Sequence, residues 1–355
     1  MIPKSPPKGR GAISNRSGRF ESWDHQEFDD GWYHEELPAL KTTIENDNAR
    51  TVIARNRSPD LPFDRSINMY RGCEHGCSYC YARPSHTYLG YSAGLDFETK
   101  LFAKHDVAEK LTKEITADSY QCQTIALGAN TDPYQPVERN LRLTRQILEV
   151  LLEHRHPLQI TTKSASIMRD IDLLSELARH NLVGVNVSIT SLDAGLTRRL
   201  EPRASAPHSR IKAVSRLVQH QIPITIFVAP VIPGLNDHEV ETILESCAQA
   251  GARRAEWTMI RLPLEVADLF REWLRTHYPG REARVMSLIQ QVRGGRTNSS
   301  EFFERMRGTG PIAEMIHKRF VSAVRKFGLD TPPVELDVAK FRKTVTGAVQ
   351  MSLFT

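Results

Sequence analysis

No run of about 18 apolar residues occurs in the 355-residue chain, so it offers no candidate membrane-spanning helix. Its first residues, Met1-Ile2-Pro3-Lys4-Ser5-Pro6-Pro7-Lys8, contain no hydrophobic signal region, and a cytoplasmic protein without a membrane partner is expected. Cysteine is scarce: five residues, three of them crowded together, do not make a disulfide framework. Neither charge sign is in marked excess. With 47 basic against 42 acidic residues, the net charge of +5 is too mild to argue for a polyanion partner by itself. What remains, 40% apolar and 25% charged residues, is ordinary for a globular chain.

The three crowded cysteines stand out. Cys73, Cys77 and Cys80 are spaced C-x3-C-x2-C within Arg71-Gly72-Cys73-Glu74-His75-Gly76-Cys77-Ser78-Tyr79-Cys80-Tyr81-Ala82-Arg83, where two glycines let the backbone turn tightly. Three thiolates on one loop can each take one iron of a cubane, whereas usual iron-sulfur ligation takes four. One iron would then lack a protein ligand. On spacing alone a Cys3His zinc site, with His75 or His86 as fourth ligand, stays open.

Downstream, an apolar strand followed by a helix with one apolar stripe recurs about every 30 residues. Strands are expected at 66–70, 124–128, 158–162, 182–189, 224–228 and 255–260, with helices at 104–117, 141–154, 169–180, 209–220 and 238–250. Alternation of this kind builds a parallel sheet with right-handed crossovers, in about six units. Periodicity does not separate a partial barrel from a doubly wound sheet. The predicted organisation is an irregular extension over 1–50, the α/β body over 51–262 and a helical extension over 263–355, with helices at 264–276 and 312–327. Pro333 to Thr355 would add an edge strand or cap.

Lys4, Lys8, Arg10, Arg16 and Arg19 all precede the first acidic residue, Glu21, in a segment rich in Pro, Gly and Ser. A solvated, disordered tail is expected there, with a basic arm on a polyanion as the alternative. Trp23, Phe28, Trp32 and Tyr33 are candidate anchors onto the folded body. In the polar segment 293–300, Arg293 and Arg296 beside glycines are candidate phosphate contacts.

In parallel α/β folds the chemistry sits at the carboxyl ends of strands. Here those ends are polar: Asn130, Thr131 and Asp132 after the second expected strand, Lys163 after the third, Ser188 at the fourth and Val231-Ile232-Pro233-Gly234-Leu235-Asn236-Asp237 after the fifth. The cysteine motif, with Tyr79 just before its last cysteine, resembles the signature of the radical S-adenosylmethionine (SAM) superfamily. Thr131-Asp132-Pro133-Tyr134-Gln135-Pro136-Val137-Glu138 resembles an element of the superfamily's spore photoproduct lyase-related subgroup.

That resemblance implies a partial (β/α)6 TIM-type barrel whose lateral opening admits substrate. It implies a 4Fe-4S cluster on Cys73, Cys77 and Cys80 whose open iron chelates SAM. It also implies an electron donor such as flavodoxin or ferredoxin. The cluster would cleave SAM reductively to a 5'-deoxyadenosyl radical that abstracts hydrogen from a substrate. By the same resemblance Asn130, Thr131 and Asp132 contact the SAM amino group, Lys163 pairs with its carboxylate beside the Ser188 hydroxyl, and Val231, Ile232 and the Tyr79 backbone seat the adenine. Arg203, in Glu201-Pro202-Arg203-Ala204, binds a carboxylate or the substrate, or pairs with Glu201 or another acid.

The chain departs from the lyase in one place. Where the lyase carries a hydrogen-donating cysteine, it reads Gly128-Ala129-Asn130-Thr131-Asp132. The substrate stays open among DNA, RNA, a protein and a small metabolite. The rival reading is a non-catalytic zinc or iron-sulfur protein that binds nucleic acid through its basic arm.

Overall fold

The computed structural model describes residues 7–21 and 40–344. The proposed anchors Trp23, Phe28, Trp32 and Tyr33, the residue Lys4 and the final residues 345–355 lie outside the described residues.

Among the described residues ten strands form two sheets: β1 (Thr43–Asn46), β2 (Ile53–Arg55), β3 (Arg65–Ile67), β4 (Tyr70–Arg71), β5 (Lys100–Ala103), β6 (Ile125–Leu127), β7 (Leu158–Thr162), β8 (Val183–Ser188), β9 (Ile224–Val231) and β10 (Ala255–Met259). The large sheet runs β10-β9-β8-β7-β6-β3-β2. Every neighbouring pair in it is parallel except β2 with β3. The six parallel strands are the six expected units, in sequence order across the sheet, and β2 and β10 are its edges. A small sheet, β1-β5-β4, lies beside the cysteine loop.

Side-chain alternation gives the large sheet two unlike faces. Ile67, Leu127, Ile160, Val185, Ile226 and Trp257 are buried in the main core. That core also holds the stripes of α1 (Val107–Thr116), α2 (Leu143–Glu153), α3 (Ile171–Arg179), α4 (Pro207–Gln219) and α5 (Val240–Gln249). In α3, Leu174 and Leu177 are fully buried, each contributing about 1.5–3 kcal/mol by leaving water. The opposite positions, Ser66, Gln159, Thr161, Asn186, Thr225, Phe227, Glu256 and Thr258, form a mostly polar inner face. Gln159 donates to Asn186 at 2.8 Å, and Asn186 to Thr161 at 3.0 Å.

The helical extension comprises α6 (Val266–His277), α7 (Glu282–Gln291) and α8 (Gly310–Phe327). The middle helix has no counterpart among the expected elements. Between α7 and α8 the chain covers the β10 edge: Arg293 donates to Ile260 O at 2.6 Å and Met259 O at 3.3 Å, and Arg307 to Trp257 O at 2.7 Å. Arg293, a candidate phosphate contact from the sequence, is buried and serves as a strut. Arg305 then reaches the far edge, forming a two-pronged ion pair with Asp60 of the β2–β3 loop, to which Phe303 N–H also donates at 3.1 Å. A pair of side chains thus spans the gap between the sheet's edges.

The amino-terminal segment differs from the expected solvated tail. Arg10 to Ile13 are buried. Gly11 and Ala12 N–H groups donate to the two carboxylate oxygens of Glu98 at 2.9 and 2.8 Å, and Arg10 donates to Glu98 O at 2.9 Å. Arg16 and Arg19 pair with Glu272 and Glu265 of the helical extension. Three of the basic charges offered for a polyanion are therefore spent on the fold.

Candidate metal and cofactor site

The cysteine loop follows β4 and lies at the carboxyl end of the large sheet. Gly72 and Gly76 adopt φ of +78° and +66°, which an L side chain resists. Space forbids a side chain as well: a Cβ at Gly72 would lie 2.6 Å from Leu101, and one at Gly76 2.6 Å from Glu98. Fully buried Arg83, paired with Glu98, donates to the carbonyls of Cys77 and Gly76 at 2.9 and 3.2 Å. Cys73 N–H is held by Phe97 O at 2.9 Å and Ser78 N–H by Leu200 O at 2.9 Å.

Burial raises all three thiol pKa values; Asp132 raises Cys73 further, and Glu201 raises Cys77. Bare thiolates are therefore disfavoured here, and a bound cation is what would hold them deprotonated. Cys80 raises Cys73 and Cys77 further as a like charge. No three His, Cys, Asp or Glu side chains among the described residues are gathered as a site for a single metal ion. His86, one candidate fourth ligand for zinc, bonds Lys100 O at 2.8 Å, and His75 lies 3.4 Å from Asp132. Three soft thiols on one loop, with both candidate fourth ligands engaged elsewhere, fit a cluster having one open metal position.

The residues expected to meet SAM are brought around this loop, and most are already engaged. Asp132 accepts Tyr134 N–H and Thr162 Oγ1 on one oxygen and Lys163 N–H on the other, at 2.7–2.8 Å. Burial pushes its pKa up, but the facing His75 and these donors outweigh that and leave it below the usual value. Thr131 is buried and donates to Tyr70 O at 3.2 Å. Asn130 has its side chain exposed at the strand end.

Lys163 Nζ donates to Ser188 Oγ at 2.6 Å and Ala229 O at 3.0 Å, and lies 3.3 Å from Glu201. Any SAM carboxylate at Lys163 would displace one of these partners. Val231 and Ile232 are buried; Asn236 bonds Ile232 N–H at 2.6 Å and Thr190 O at 2.7 Å, fixing the turn below them.

Sequence reasoning missed the hub of this network. Buried Glu201 accepts from Tyr79, Thr190 and Arg210, and lies against Lys163. Desolvation alone would raise its pKa, yet Arg210 and Lys163 hold it well below the carboxylate range. Arg203 turns away to Glu74 at 3.0 Å, so the acid it pairs with is not Glu201. The remaining motif residues act on the scaffold: Gln135 accepts Glu74 N–H at 2.8 Å, and Glu138 binds Tyr70, Arg169 and two helix N–H groups.

Tyr81 was also missed, although an aromatic residue directly after Cys80 was a visible signal. Its hydroxyl donates to Ala129 O beyond β6, and Arg261, beyond β10, stands 5.2 Å over its ring. One side chain links the ends of two strands four places apart. The other cysteines are remote: Cys122 precedes β6, at its amino end, and Cys247 is buried in α5, so neither replaces the lyase's hydrogen donor.

The sequence model of the Radical SAM superfamily matches residues 67–247. An uncharacterized protein of Mycobacterium tuberculosis (strain ATCC 25618 / H37Rv) is 35% identical over 243 residues, 67% of this chain and 72% of the relative. One of Methanocaldococcus jannaschii is 29% identical over 173 residues, 49% and 62% of the two chains. Spore photoproduct lyase complexed with dinucleoside spore photoproduct shares the fold at a TM-score of 0.57 and 14% identity, covering 80% of this chain and 78% of that one. A double mutant of the lyase with bound AdoMet and the same photoproduct gives 0.56, at 13% identity and the same coverage. With its cysteine loop at the mouth of six parallel strands and half its length matched, the chain belongs to the radical SAM superfamily.

Proposed function

We propose that this protein is a radical SAM enzyme of lyase or oxidoreductase type, with a 4Fe-4S cluster on Cys73, Cys77 and Cys80. The observation that carries the reading is a three-cysteine loop, two of its thiols buried and the third half-buried, held at the carboxyl ends of the parallel strands while the candidate fourth ligands His75 and His86 are engaged elsewhere. When bound, cluster and SAM together supply a 5'-deoxyadenosyl radical able to take hydrogen from carbon.

The chain's own residues bind, orient and exclude water. Arg83 and Glu98 fix the loop; Asp132 locks the second strand end to the third; Glu201 balances the buried charges of Lys163 and Arg210. In this reading Tyr79, Asn130, Thr131, Asp132, Lys163, Ser188, Val231 and Ile232 would line the SAM site. An electron donor of flavodoxin or ferredoxin type would dock near the loop. Nucleic acid is the first substrate class to test, because the lyase that shares the fold takes a dinucleoside photoproduct.

Anaerobic reconstitution of the full chain with iron and sulfide, then addition of reductant and SAM, tests the proposal. About four irons per chain and formation of 5'-deoxyadenosine are expected. Retention of zinc with no 5'-deoxyadenosine would overturn it and restore the non-catalytic reading.

A further inference from the structure

Around the β10 edge, five guanidiniums face only two carboxylates. Arg254 and Arg307 share Glu256, Arg305 takes Asp60, and Arg293 is spent on backbone carbonyls. Arg261 is different. Among the described residues it has no carboxylate within ion-pair distance; NH1 is 4.0 Å from Met306 Sδ, and Nε is buried without a partner. Burial, and then the charge of Arg305, lower its pKa against the opposing influence of Tyr81 and Asp60. A half-buried cation with an orphaned buried donor is costly, and such a group calls for an explanation.

The guanidinium lies over Tyr81, 5.2 Å from the ring centroid, and Tyr81 adjoins Cys80. Its unused donors form a planar fork, the geometry that grips a carboxylate or phosphate with two hydrogen bonds.

We propose that Arg261 is the anchor for an oxyanion of the substrate, a carboxylate or a phosphate, held against Tyr81 at the opening between the sheet edges. The anion neutralises the unpaired cation and fixes the attached carbon framework beside the cysteine loop. Selectivity follows from charge. A neutral analogue leaves the guanidinium unpaired and binds weakly.

The inference rests on the radical SAM reading only in naming the anion a substrate group, and its test needs no turnover. Reconstituted full-length protein is titrated with 13C-labelled acetate and, separately, with methyl phosphate observed by 31P, reading line broadening at constant ionic strength. Saturable binding of at least one probe is expected, weakened tenfold or more in Arg261→Gln, less in Arg261→Lys, and unchanged in Arg216→Gln, which alters an exposed arginine of α4. The tighter probe names the oxyanion. Absence of binding to the wild type, or equal weakening in Arg261→Gln and Arg216→Gln, would overturn the proposal. Should Arg261→Gln not fold, undiminished binding in Arg261→Lys would overturn it. A protein that makes no 5'-deoxyadenosine still gives a clear answer here, so the two readings fail separately.

Discussion

Glu98 joins three parts of the molecule, and its removal should undo them together. Its carboxylate is fully buried, pairs with fully buried Arg83 and accepts the N–H groups of Gly11 and Ala12. Glu98→Ala strands a buried cation, a change that costs about 3–5 kcal/mol. The two orphaned N–H groups each add about 1–3 kcal/mol unless water reaches them. These contributions share one site and do not add in full. The least costly response is release of the amino-terminal segment, which lets water solvate all three groups.

The measurement is amide hydrogen exchange with limited trypsin digestion at Arg10 and Arg16. Both sites should open in Glu98→Ala while the α/β body stays protected. Arg83 also holds the Cys77 and Gly76 carbonyls, so iron retention after reconstitution should fall. Arg83→Met with Glu98→Met removes the stranded charge and should recover part of the stability, but not the protection of Gly11 and Ala12. If Glu98→Ala leaves those two amides as slow to exchange as in the wild type, the reasoning is wrong.

Gly11→Ala should open the same segment without touching a charge, because the new Cβ would meet Gly76 O at 1.6 Å; unaltered trypsin resistance would refute this. Replacing Cys73, Cys77 or Cys80 singly by serine should leave far-UV circular dichroism near wild type and lower bound iron and sulfide severalfold. Asp60→Ala should expose segment 293–307 to exchange, at a cost of about 1–3 kcal/mol for a largely buried two-pronged pair, with the β6–β9 strands unaffected. His156 is buried and neutral, its pKa lowered from 6.5 to about 4 by desolvation. The unfolded chain therefore binds the extra proton between these values, and stability should fall as pH drops from 6.5 to 4, by about 3 kcal/mol at most. His156→Gln should flatten that slope in urea titrations.

The six parallel strands and the stripes of α1 to α5 were legible because each carries a periodic apolar signal long enough to read, as Leu158 to Thr162 and Ile171 to Arg179 show. Strands β1, β2, β4 and β5 were not. They have two to four residues, some fully exposed, and exist through pairing with distant chain. The amino-terminal segment reads as disordered because Gly, Pro and Ser dominate it, while its order comes from Glu98, some 87 residues away. The cysteines announced themselves by spacing, and Lys163 and Ser188 were singled out by strand-end position together with the family resemblance. Glu201 did not, since nothing local chooses between Arg203 and Arg210 as its partner. Helix α7 was overlooked because Val285, Met286 and Ile289 are a thin stripe in a polar stretch.

The arginines on β10 have a consequence for self-association. An edge strand ordinarily offers a row of free carbonyls on which another chain can add its own strand, a route to aggregates. On β10 the outward acceptors Trp257 O and Met259 O are already taken by Arg307 and Arg293. A docking strand would have to displace two guanidiniums and would meet their positive charge. The loop between α7 and α8 therefore also blunts this edge, by means of charge that no β-forming sequence can replace.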